Sequence, residues 1–220
     1  MSWLFHRPVA LAYANQSTGD LVASVGVLAL AADRDEVLGI LEDERCALSG
    51  GGFVDANGDY YVLGDSGDGA FDIFGVVELP EPCLVRLPRG ADAFDPDFVL
   101  RVASLVGAPQ VAGLVGRGDR TFLTRTLDPR FDLTTITNPL DYFRIEAWIW
   151  QAVSVDDGTA IDLGLPPSGI SFAPFVVDGD FYVQQLDEDT QRSTLVRFDG
   201  TTTSPSFTVT GDIQRVARIR

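Results

Sequence analysis

The sequence predicts an all-β fold, a propeller-like array of about three and a half four-stranded units, and three observations predict it. One strand–turn–strand phrase is written three times at a near-constant spacing. Short Gly/Asp turns alternate with longer mixed connections. No segment keeps a helical period over three turns. The first copy of the phrase spans residues 51–63 and turns through Asn57-Gly58-Asp59, between an apolar run and an aromatic one. Asn-Gly tolerates the positive φ that tight hairpins need, and such turns match the twist of the strands they join. The second copy covers 111–123 with Arg117-Gly118-Asp119, and the third covers 172–183 with Asp178-Gly179-Asp180. Gly58, Gly118 and Gly179 are therefore 60 and 61 residues apart, a spacing expected of a repeat architecture.

In chain order, residues 8–13 are a strand followed by a polar turn, and 25–31 pairs with 37–41 around Asp33-Arg34-Asp35. After the hairpin at 51–63 come an irregular stretch to residue 82 and a second pair, 83–87 with 98–102, around Pro88-Arg89-Gly90. A helical turn fits only within 92–106, where Pro96 interrupts it. The third round has its hairpin at 111–123, a long loop at 124–142, and a pair at 145–155 and 160–163. The fourth has a hairpin at 171–185, a pair around Asp199-Gly200, and a last strand at 213–219. The units fall at about 1–45, 46–106, 107–165 and 166–220 of one domain. The first lacks a clear opening strand, and the last strand stands unaccompanied. Rings close with about four to eight blades. The chain thus reads as a piece of a larger ring, or as one whose last strand joins the first unit across a seam. The piece is favoured, because an open half-ring exposes strand edges.

Composition narrows the function classes. A chain of 220 residues that is 45% hydrophobic can bury a core and is not disordered, and no apolar run is long enough to span a bilayer. The net charge of −16 argues against nucleic acid and anionic membrane surfaces as partners. Every cation is an arginine, which either a GC-rich genome or a salt-adapted surface explains. Residues 1–14 make a poor export signal, since Pro8 breaks their short apolar run. The chain is expected to be cytosolic, or a piece whose export signal lies upstream.

The short turns point to one end of each unit and the longer connections to the other. Binding normally lives on long loops carried by a rigid scaffold. Loop position selects Asp65, Asp68, Phe71, Asp72 and Phe74 in one connection, and Arg125, Arg130 and Tyr142 in the next. Cys46 and Cys83 both fall at the long-connection end, which makes a disulfide geometrically sound and implies an oxidising compartment; the alternative is two lone thiols.

Several motifs reduce to turn or core chemistry. Gly64-Asp65-Ser66-Gly67 is like a serine-protease nucleophile segment, but the only histidine, His6, lacks catalytic surroundings. Asp55-Ala56-Asn57-Gly58-Asp59 starts like a calcium loop yet lacks its glycine and distal glutamate, so it reads as a turn. Asp65, Asp68 and Asp72 read as a solvated acidic loop, with a weak calcium site as the alternative. Arg117-Gly118-Asp119, the tripeptide read by integrins, sits where the repeat demands a hairpin. Trp148 and Trp150 read as core on a strand. Cysteine and histidine are too few for a structural zinc site.

The chain also resembles the MxcI-like bacterial cell-envelope propeller proteins of siderophore (myxochelin-type) loci. The resemblance is carried by Glu42-Asp43-Glu44-Arg45-Cys46, Gly51-Gly52-Phe53-Val54-Asp55 and Asn57-Gly58-Asp59. Cys83-Leu84-Val85-Arg86, Phe94-Asp95-Pro96-Asp97 and Gln214-Arg215-Val216-Ala217-Arg218 extend it. It covers the C-terminal half of a typical member and implies an exported, often lipid-anchored protein accessory to iron acquisition. It supplies no catalytic residues. The expectation is a non-enzymatic envelope module that binds a small ligand or protein partner and needs no cofactor. The alternatives are a calcium-dependent lactonase-like propeller hydrolase and a structural fragment without a ligand.

Overall fold

The computed structural model describes residues 3–14, 21–31, 36–46, 49–64, 80–108, 110–142, 145–169, 174–187, 189–211 and 213. The fold is all-β, built of four antiparallel sheets whose strands follow chain order. The first sheet holds β1 (Trp3–Ala14), β2 (Leu21–Ala31) and β3 (Glu36–Asp43). The second holds β4 (Ser49–Val54), β5 (Tyr60–Gly64), β6 (Cys83–Leu87) and β7 (Val99–Leu100). The third holds β8 (Val111–Gly116), β9 (Thr121–Leu127), β10 (Trp148–Ser154) and β11 (Ala160–Asp162). The fourth holds β12 (Phe175–Val177), β13 (Asp180–Asp187), β14 (Arg192–Phe198) and β15 (Thr203–Thr210). Pro8 and Pro205 lie on β1 and β15, edge strands where a missing N–H breaks no ladder, and both flank a register shift.

Side-chain alternation sends each strand's residues into two different cores. On β5, Tyr60 and Val62 pack with Val25 and Val27 of β2, whereas Tyr61 and Leu63 pack with Val111 and Phe122 of the third sheet. On β9, Phe122 faces the second sheet, and Leu123 joins Trp150, Phe181 and Val183 in the core shared with the fourth. A strand buried on both faces loses the polar half of the usual pattern, which is why β5 reads as an unbroken apolar run. Each large side chain taken fully out of water contributes about 1.5–3 kcal/mol.

At Gly116 the second and third sheets pack with no room for a side chain. A Cβ there would stand 1.9 Å from Cγ of Phe53, whose ring stacks on Tyr61 with centroids 5.1 Å apart. Gly116→Ala is expected to cost about 1–3 kcal/mol by overpacking, read as a lower denaturant midpoint. An unchanged midpoint would mean that these sheets do not meet as described.

The structure corrects three expectations. The missing opening strand of the first unit is present: β1 runs alongside β4 as β4 does alongside β8, and β2 lies alongside β5. The position without a strand among the described residues is the one beyond β3, opposite β7. Packing partners, which no local pattern reveals, decide a strand's place in its sheet. The strand expected over 98–102 shortens to Val99–Leu100. The chain then enters helix α1 (Val102–Val106), which buries Val102 and Ala103 in the core between the second and third sheets and ends at Gly107 with φ 66°. In the second hairpin the left-handed residue is Arg120 (φ 64°) and not Gly118; Asp178 and Gly179 both take positive φ in the third. The last strand expected over 213–219 lies outside the described residues except for Ile213, as does the stretch 65–79.

Candidate functional site

Hairpins of neighbouring sheets meet at one end of the molecule. The N–H of Ala56 donates to the carbonyl of Gly118 at 2.8 Å, and Arg117 Nη1 donates to the carbonyl of Gly179 at 3.2 Å. Asp55, its carboxylate fully buried, accepts the N–H groups of Asn57 and Asp59 through Oδ1. Its Oδ2 faces Arg120 Nε at 3.6 Å, and Arg120 also pairs with Asp156 at 2.5 Å. The Arg117 guanidinium pairs with Asp119 and lies 4.7 Å from the ring centre of Phe181. The calcium-like segment Asp55 to Asp59 and the integrin-like tripeptide are thereby accounted for as turns whose charges join sheets. This end is closed.

The other end carries the longer connections. In the stretch between β9 and β10, Asp132 caps a 3-10 turn (Leu133–Thr135) by accepting the Thr134 N–H at 3.0 Å, and a single turn of helix, α2 (Pro139–Tyr142), follows. Ile136 and Tyr142 bury with Leu127 and Trp148, so the loop has a core of its own. Two adjoining clefts open beside it, one reaching the fourth sheet and the other lined only by connections of the third. One, of about 290 Å³, is lined by Glu146, Pro166, Pro167, Ser168, Leu186 and Asp187 among others. The other, of about 370 Å³, is lined by Asp128, Arg130, Phe131, Glu146, Ala147 and Pro167. Glu146 and Pro167 belong to both.

Electrostatics differ between the two. Arg130 chelates Asp128, with Nε 2.9 Å from Oδ1 and Nη2 2.6 Å from Oδ2, and holds that carboxyl below the usual range. Asp187 is also held low, first by the backbone N–H of Thr190, which donates to Oδ1 at 3.0 Å. Glu146 has no hydrogen-bond or ion-pair partner among the described residues. Ser168 is 8% exposed, and its Oγ has no partner although its backbone bridges to Trp148 in both directions.

Of the residues chosen by loop position, Asp65, Asp68, Phe71, Asp72 and Phe74 lie outside the described residues. Arg130 lines the second cleft. Arg125 is not in a loop: β9 runs on to Leu127, and the buried Arg125 guanidinium donates to the carbonyl of Gly169 at 2.9 Å while lying 4.9 Å from the Trp150 ring centre. Tyr142 is fully buried, donating its hydroxyl to Gln110 Oε1 at 2.5 Å with its ring edge-on to Trp148. Both hold the scaffold behind the cleft. Glu146, Ser168 and Asp187 escaped sequence reasoning; the adjacent Pro166 and Pro167, which stiffen the chain beside them, are the signal that could have drawn attention to this wall. Cys46 and Cys83 do form a disulfide, with Cα atoms 5.2 Å apart and both residues buried, joining the segment after β3 to the start of β6.

Among the described residues, no three His, Cys, Asp or Glu side chains gather as a metal set, and no helix is long and apolar enough to cross a membrane. No protein-family model matches the chain, and comparison with curated proteins finds no match.

Proposed function

We propose that this chain is a non-enzymatic binding module in which the four sheets are successive blades of a propeller-like ring. It takes a small ligand or a protein partner at its loop end. The single observation that carries the reading is the pair of adjoining clefts beside the β9–β10 connection, at the end opposite the hairpins. Three cores shared by consecutive sheets support the blade arrangement. The buried disulfide favours an oxidising compartment, in line with a cell-envelope or extracellular site. The resemblance to envelope propellers of siderophore loci extends this to an accessory role in iron acquisition.

Leu186 is half-buried at the wall of the smaller cleft, so Leu186→Trp fills the space from the surface inward. Calorimetric titration of a panel of small ligands, siderophores included, against the native protein and this variant is the test. At least one ligand is expected to bind the native protein and to lose more than tenfold in affinity to the variant. Equal affinity for both, or no binder at all, overturns the placement of the site.

A further inference from the structure

We infer that β15, the outer edge of the fourth sheet, pairs with the same strand of a second copy of this chain, antiparallel about a two-fold axis at Thr208. The inference goes beyond the cleft reading and does not rest on it. β4, β8 and β12 run alongside one another, so β7, β11 and β15 are the outer strands of their sheets. An outer strand leaves one side of its backbone unpaired, and proteins protect such edges by shortness, charge or proline. Two of these three edges are protected. β7 has two residues, and β11 has three and ends in Asp162. β15 has eight residues, all exposed except Thr203 and Val209, and no residue of 200–211 is charged. Buried strands lack charge because they are out of water, whereas β15 lacks it while facing water. Pro205 and the register shift beside it guard only the first half of the strand, which leaves residues 206–210 as an open edge.

The residues of that edge say what covers it. Set antiparallel about Thr208, the run 206–210 matches its own copy. Phe207 stands opposite Val209 of the second copy, Val209 opposite Phe207, and Thr208 opposite Thr208. Aromatic–β-branched and Thr–Thr pairs are among the combinations that stabilise antiparallel ladders. Phe207 and Val209 share one face of the strand. Phe207 is 46% exposed although it lies cross-strand from the fully buried Leu195. Pairing gathers both copies of Phe207 and Val209 into one apolar patch that continues from Leu195. Thr208 lies on the opposite face, its hydroxyl 2.9 Å from that of Thr194. Two molecules of net charge −16 repel each other, so they meet most readily along an edge free of carboxylates. β3, with Glu36, Glu42 and Asp43, is an edge of the opposite kind. A two-fold axis uses the same edge on both molecules and so closes at a dimer.

Sedimentation velocity of the full chain between about 10 µM and 1 mM is the test, with an expected monomer–dimer Kd on the order of 100 µM for so small a contact. Thr208→Lys and Thr208→Glu each set like charges against one another across the axis, and each should weaken dimerisation about tenfold or more. An equimolar mixture of the two variants sets lysine against glutamate and should return association to within about threefold of the native protein. Because Thr208 is exposed, both variants should keep Tm within about 3 °C, which separates lost pairing from lost folding. Phe207→Thr, a strand former without the aromatic ring, should weaken the dimer by about threefold or more. A native chain that stays monomeric at the highest concentration overturns the inference and leaves the edge to an extended segment of another protein. A dimer indifferent to all three substitutions overturns it by placing the contact elsewhere. Dimerisation lost in both charged variants and not recovered on mixing overturns the pairing about Thr208.

Discussion

Replacing Cys46 and Cys83 together by alanine is expected to lower stability by about 2–5 kcal/mol. The bond closes a loop across 37 positions and ties the exit of the first sheet to the first residue of β6. Both cysteines are buried in the core shared by β2, β5 and β6, beside Tyr60, Val62 and Phe94. Losing the link frees the unfolded chain and leaves two small voids, so the two contributions act in the same direction. Burial there also pushes the Tyr60 hydroxyl up to about 12, so that ring stays neutral in any ordinary buffer. Thermal unfolding should show Tm lower by roughly 5–15 °C, and a reductant should reproduce the shift in the native protein but not in the variant. Identical melting of oxidised and reduced protein would remove the bond from the stability account.

Asp55→Ala is the second large effect, expected to cost about 2–4 kcal/mol, mostly through the two N–H groups left without their charged acceptor. The substitution deletes the acceptor for two turn N–H groups and strips Arg120 of a partner on the neighbouring sheet. Arg120 holds a left-handed backbone conformation, is flanked by Asp55 and Asp156, and lies 5.7 Å from the Tyr61 ring centre. Asp55→Asn keeps an oxygen for the turn and removes only the charge, so it should cost less. Crossing Asp55→Asn with Arg120→Met in a double-mutant cycle isolates the contact between sheets. Additive losses would mean that the two residues act independently and that the hairpins are not joined through them.

Much of the architecture was legible because its causes are local. The hairpins at β4–β5, β8–β9 and β12–β13 announce themselves through turn chemistry and flanking apolar runs. Cys46 and Cys83 could be paired because both sit at strand ends on the same side of the repeat. The reading faltered where position depended on neighbours. Arg125 reads as loop because Arg and Thr dominate 124–126, yet β9 continues through them, and the charge is held by Gly169 and Trp150. Tyr142 reads as a surface aromatic until Gln110, 32 positions away, takes its hydroxyl.

Strand identity, turn placement and the covalent cross-link followed from the amino acids alone, since alternation and turn preference act over a few residues. Three-dimensional packing decided how the described strands of the first sheet stand against the second and which loop-end residues meet. The clefts draw on the β9–β10 connection, Pro166 to Ser168, Leu186, Asp187 and Pro205, stretches far apart in the chain. A cleft is the space between packed segments, and no short run of residues encodes the distance between surfaces that fold separately and then meet.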